Sequence, residues 1–251
     1  MHSLLKTLFW LTIFSIAMGF LETAVVVYLR KLYYPEGFHF PLVQIPPDIA
    51  WIEGLREAAT ILMLLGAGML AGKKGAHRFA FFVYAFAVWD IFYYVFLKLL
   101  INWPESWQTR DILFLLPVPW VGPVIAPCIV AASMLLLTLS ILFHSARGYH
   151  TQILLREWLL FCSGSLVVIW AFCADYMHHV VFGNKPFWAL SGDKKLFSDL
   201  RTYVPVSFNW SLFTTGEVML LLAIFLYTVR IRKRAHGEES MAKKTTERIL
   251  N

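Results

Sequence analysis

The 251-residue chain is 59% hydrophobic and only 15% charged, against about 25% charged in an ordinary soluble domain. With a mean hydropathy of +0.62 it lacks the polar groups to coat a water-facing surface, so lipid is expected to be the solvent for much of it. The formal charge of +6 is gathered in short loops and at the C-terminus, a pattern that orients membrane proteins and is not a nucleic-acid signal.

In chain order, apolar runs over residues 4–29, 49–71, 77–100, 118–144, 154–182 and 204–229 each reach the ~20 residues that cross about 30 Å of hydrocarbon as a helix. Lipid offers no partner to an exposed peptide group, so these runs are predicted to be helices. The expected fold is all-α: a polytopic transmembrane bundle of about six spans in one domain, 1–231, followed by a basic cytoplasmic tail, 232–251. The first run is too long for a signal-peptide core and lacks a small-residue cleavage site at the right distance, so it reads as a retained signal anchor. Cys128, Cys162 and Cys173 are scattered through apolar runs and read as small buried hydrophobes.

Three connecting stretches are more than linkers. Residues 33–47 carry Pro35, Pro41, Pro46 and Pro47, which forbid a long helix. Residues 116–127 read L-P-V-P-W-V-G-P-V-I-A-P, so the fourth span is expected to start broken, kinked or re-entrant; irregular backbone at membrane depth is tolerated only against protein or a watery cavity. Residues 183–205 hold Trp188, Phe197 and Leu200 among charges and suggest a short amphipathic helix over the outer mouth. Lys6, Lys73, Lys74, Arg78, Arg147, Arg156 and the basic tail would share one side of the membrane. Fewer basic residues, among them Arg30, Lys31, Lys98 and Arg110, would share the other. The richer side is expected to be cytoplasmic, with both termini inside and a bacterial inner (plasma) membrane as the address.

Six acids fall well inside these spans: Glu22, Glu53, Glu57, Asp90, Asp175 and Glu217, joined by Arg56, His178 and His179. Each intramembrane charge costs ~2.5–3.5 kcal/mol to insert, so such residues default to a functional reading. Counted from the span ends, the acids lie roughly 6–20 Å below the outer surface. The spacing i, i+3, i+4 puts Glu53, Arg56 and Glu57 on one helix face, and likewise Asp175, His178 and His179. Asp90 shares its face with Tyr93 and Tyr94. Glu157, by contrast, reads as interfacial, as do His144 and His150 near the inner end of the fourth span.

Ionising all six acids against one guanidinium would leave about five uncompensated charges, which a low-dielectric site cannot hold. The carboxyls must be protonated, watered or bound to cations. The leading expectation is a metal-dependent membrane enzyme, redox chemistry included, acting on a lipid or other hydrophobic substrate. Glu22, Glu53, Glu57, Asp90, Asp175, His178, His179 and Glu217 would supply ligands to a divalent Fe, Zn or Mn ion. Asp175-x-x-His178 has the ligand chemistry of the Glu-x-x-His pairs in ferritin-like di-iron bundles, although one Asp-x-x-His stands where those bundles have two Glu-x-x-His. Glu57 would act as general base, Arg56 would hold an anionic substrate group, and Tyr93 or Tyr94 would donate a proton. The alternatives are a cation- or proton-coupled transporter, an ion-paired structural core, and a non-catalytic subunit of a larger membrane complex. No phosphate-binding loop, nucleophile elbow, dinucleotide fingerprint or zinc-protease motif occurs in the sequence.

Overall fold

The structure is a computed structural model that describes residues 2–43, 45–182 and 202–250. Six helices are long and apolar enough to cross a membrane. They are α1 (His2–Tyr33), α2 (Pro47–Ala71), α3 (Gly75–Ile101), α4 (Ile125–Ala146), α5 (Leu155–Phe182) and α6 (Trp210–Leu250). The chain is therefore a multi-pass integral membrane protein, as its composition requires. Two short strands, β1 (Arg110–Phe114) and β2 (Trp120–Pro123), form a hairpin between α3 and α4.

Local chemistry sets the helix ends. α2 opens on Pro47, with Asp48 in its first turn, where a missing N–H costs nothing and a carboxylate favours the dipole. α3 stops at Asn102, which takes the left-handed conformation (φ 52°) and returns its N–H to Lys98, the usual way a helix ends on Gly or Asn. α3 is the central element, packing on α1, α2 and α4, while α5 pairs with α6. Small residues allow the tight crossings. A Cβ on Gly68 of α2 would lie 2.6 Å from the Phe82 nitrogen of α3. The shared apolar core joins Leu11, Leu64, Phe81, Ile141 and Tyr227, one or more from each of α1, α2, α3, α4 and α6.

The hairpin is where sequence and structure differ most. The fourth span was expected to begin at residue 118, but α4 begins at Ile125 and residues 120–123 are strand. β1 pairs antiparallel with β2 (Asp111 opposite Gly122, Ile112 opposite Val121), with an irregularity before the Phe114–Trp120 pair. This satisfies the backbone of a segment that Pro117, Pro119 and Pro123 keep from being helical, while Pro127 sits in the first turn of α4. Gly122 allows the hairpin to lie against α5, since a Cβ there would stand 2.6 Å from the Phe172 ring. The hairpin tip descends into the bundle. The Leu115 N–H donates to the Glu57 carboxylate at 2.9 and 3.1 Å. Glu57 is 10 residues past the start of α2 (57 − 47), about 15 Å along the axis. The expected break is thus a β-hairpin whose tip packs against α2.

Two residues read as interfacial lie at helix ends and are buried against protein. Glu157 is fully buried; it accepts from Arg230 at 2.6 and 2.7 Å and from the Leu154 N–H at 2.9 Å, fastening α5 to α6. A neighbouring arginine in sequence, Arg156, suggested surface, whereas the true partner is 73 residues away. His144 is also buried, its ring bonded to the Ser140 carbonyl at 2.7 Å. Of the cysteines, Cys173 is buried, Cys128 half-buried and Cys162 exposed, so the buried reading holds fully for Cys173 alone. The basic tail continues α6 as helix to Leu250. The amphipathic helix expected over 183–205 falls mostly outside the described residues.

Candidate functional site

At the hairpin end of the bundle, α1, α2, α3, β1 and residues 34–45 enclose a cavity of about 150 Å³. Its wall is apolar along Val26, Leu29, Leu42, Ile45 and Ile49, and polar where Glu22, Glu53, Arg56, Glu57, Asp90, Tyr93 and Tyr94 converge. Seven of the sequence-selected residues, from three helices, therefore share one chamber. Helical periodicity places them: Glu53, Arg56 and Glu57 on one face of α2, and Asp90, Tyr93 and Tyr94 on one face of α3. α1 is held close to the α3 face by glycine and threonine. A Cβ on Gly19 would lie 3.0 Å from the Trp89 carbonyl. Thr23 donates to the Gly19 carbonyl at 2.8 Å and lies 3.1 Å from that of Tyr93.

Charges in the cavity are divided unequally. Arg56 is engaged on both sides, with Glu53 of its own helix and Glu22 of α1; Thr60 also donates to Glu22 at 3.3 Å. This network ties α1 to α2. It leaves Arg56 already neutralised, which removes the reason to give it an anionic substrate group. Glu57 receives only the Leu115 N–H, through both carboxylate oxygens. Asp90 lies in the wall, and no described residue makes a hydrogen bond to it. The two carboxyls without a guanidinium are thus Glu57 and Asp90.

Two charged residues of the cavity escaped the sequence reading. Arg30 and Asp111 form an ion pair at 3.1 Å with side chains only 10% and 3% exposed. The Arg30 guanidinium also lies over the Trp103 ring at 3.7 Å and the Phe38 ring at 4.5 Å, favourable cation–π placements. Burial pushes the Asp111 carboxyl up from its ordinary pKa, while Arg30 pulls it down. Arg30 had been counted among surface charges that orient the chain. Its signal was present nonetheless: Glu22, Val26 and Arg30 follow i, i+4, i+8, one stripe of α1. Nothing in the sequence marked Asp111, because it sits in a strand inside a segment read as a loop.

The remaining candidates lie elsewhere. Asp175 accepts the Tyr203 hydroxyl at 2.7 Å and the Val206 and Ser207 N–H groups at 3.1 and 3.3 Å. It holds the segment that leads into α6, and with it burial drives the Tyr203 hydroxyl pKa up. His179 contacts Thr202 at 3.3 Å, and His178 is on the same helix. Glu217 of α6 accepts from Ser133 of α4. None of these four lines the cavity. Among the described residues, no three His, Cys, Asp or Glu side chains form a group that could hold a metal ion.

Fold and site define the class: an integral membrane protein with six candidate spans among the described residues and a carboxylate-lined cavity walled by a β-hairpin. Beyond that class, no protein-family model, curated protein or solved structure matches the chain.

Proposed function

We propose that the chain is a membrane-embedded enzyme that draws a lipid or other hydrophobic substrate into this cavity from the extracytoplasmic side of a bacterial inner membrane. The observation that carries the reading is the β-hairpin. It spends irregular backbone at membrane depth to wall a chamber that holds Glu57 and Asp90 without a neutralising arginine. Such a segment is costly in lipid and is tolerated where a cavity requires it. The apolar wall takes the substrate's chain and the carboxyl end takes its polar group.

Glu57 and Asp90 would be the proton-handling pair, and Tyr93 and Tyr94 hydroxyl donors beside them. Arg56 braces Glu22 and Glu53 and so fixes the spacing of α1 and α2. The loop-charge pattern supports cytoplasmic termini, which puts the hairpin end outside.

The donor set does not favour the Fe, Zn or Mn ion. Once Glu22 and Glu53 are committed to Arg56, and Asp175, His178, His179 and Glu217 stand outside the wall, two carboxyls remain in place of the three or four protein ligands such ions take. The proton chemistry above is therefore written on side chains alone. Metal remains a separate proposal with its own check: elemental analysis of purified protein, where a stoichiometric metal lost in Asp90→Asn would support it and its absence would reject it.

The test of the main reading uses wild-type protein in nanodiscs with a total membrane lipid extract. Mass spectrometry is expected to find a hydrophobic molecule retained or altered by the wild type, and neither by Glu57→Gln or Asp90→Asn. A wild type that retains and alters nothing would overturn the reading.

A further inference from the structure

We infer that the cavity is built for an amphiphile with a cationic, ammonium-type head, a ligand class that rests on reading the chamber as a site for hydrophobic molecules. The wall contains five carboxyls, Glu22, Glu53, Glu57, Asp90 and Asp111, but only two guanidiniums, Arg30 and Arg56. Both guanidiniums are taken by carboxylates of the wall itself. An anionic head such as a phosphate or carboxylate would therefore meet a surplus of carboxyls in a low-dielectric chamber whose two guanidiniums are each already held by a carboxylate.

A second observation points the same way. Asp90 is half-buried, receives no hydrogen bond from a described residue, and borders the cavity. Glu57, across on α2, is held in place through its backbone donor Leu115. The same wall carries the rings of Tyr34, Trp89, Tyr93 and Tyr94, beside Phe38, which already faces the Arg30 guanidinium. Carboxylates set among aromatic rings are the chemistry that recognises an alkylammonium, through charge and cation–π attraction together. The apolar wall from Val26 and Leu29 to Leu42 and Ile49 then accommodates the chain. A bound cation would also relieve the excess of carboxyls, so head and chain are each matched by a distinct part of the chamber.

Three probes of equal chain length separate the possibilities: dodecyltrimethylammonium, dodecyl phosphate and dodecanol. Each is titrated into full-length protein in nanodiscs, with empty nanodiscs as reference, and bound ligand is read by native mass spectrometry. The cation is expected to bind saturably and at least about tenfold more tightly than either other probe. Asp90→Asn is expected to lower that affinity about tenfold, and Glu57→Gln, a second near-isosteric change, to do so independently should Asp90→Asn fold poorly. Lys73→Ala, at the opposite end of the bundle, is the unaffected control. Preference for the phosphate or the alcohol, or full affinity in both carboxyl variants, overturns the cationic class while leaving the chamber a hydrophobic site. Failure of all three probes to bind sinks the hydrophobic-site reading itself.

Discussion

The Arg30–Asp111 pair is buried at both ends, so each charge depends on the other for compensation. Removing one partner leaves an uncompensated charge in the bundle, which typically costs about 3–5 kcal/mol. Arg30→Met should therefore lower the unfolding midpoint strongly. The double variant Arg30→Met/Asp111→Asn should recover much of the loss, and a double variant no more stable than the single would contradict the pairing. Glu57 and Asp90 differ in kind: they have no guanidinium, so Asp90→Asn should leave stability unchanged or raised while weakening ligand retention. At this scale the sequence disclosed residue type and helix face well. Intramembrane acids announce themselves by cost, and periodicity gathers Glu53, Arg56 and Glu57 into one stripe. Partners distant in sequence were hidden. Arg230 for Glu157, Asp111 for Arg30 and Tyr203 for Asp175 lie 28 to 81 residues away, and no local spacing encodes them.

Among the elements, α2 and α3 approach through Gly68, whose added Cβ would meet Phe82 backbone atoms at 2.6 and 2.7 Å. Backbone cannot swing aside as a side chain can, so Gly68→Val should disrupt the bundle. Gly66, two residues away on the other side of the helix with nothing within 4 Å of an added Cβ, is the contrast: Gly66→Ala should be neutral or stabilise by ~0.5 kcal/mol through helix propensity. Comparing folded yield and thermal midpoint of the two variants checks both. The hairpin makes its own prediction. Leu115→Ala keeps the N–H that Glu57 accepts, whereas Leu115→Pro removes it. Ligand retention should survive the first and fail in the second. Helix existence was readable from apolar length alone. The hairpin was readable only as an interruption, because three prolines and a glycine exclude helix without specifying that two short strands will pair.

Across the whole molecule, the placement of the cavity depends on which end faces outward. The hairpin end carries fewer basic groups than the end with Lys73, Lys74, Arg78 and the start of the basic tail, so it should be extracytoplasmic. In cells, Ser106→Cys should react with a membrane-impermeant maleimide, and Lys73→Cys only after lysis; the reverse pattern would invert the topology. The sequence expectation of one acidic site spanning five helices is met in part: α1, α2 and α3 converge on the cavity, while Asp175 and Glu217 serve contacts of α5 and α6. Similar depth in the membrane does not require a shared pocket, since residues at one level can sit on opposite sides of a bundle.

The descent of the hairpin tip into the cavity is the feature on which the site depends, and a cysteine pair reports it directly. A Cβ on Gly54 would lie 3.2 to 3.6 Å from the Cγ and methyl carbons of Leu116, so the two positions adjoin. In a background with Cys128, Cys162 and Cys173 replaced, Gly54→Cys/Leu116→Cys should cross-link on mild oxidation in native membranes and revert with reductant. Two thiols that stay free under oxidation, yet label fully after denaturation, would show that the tip does not reach α2.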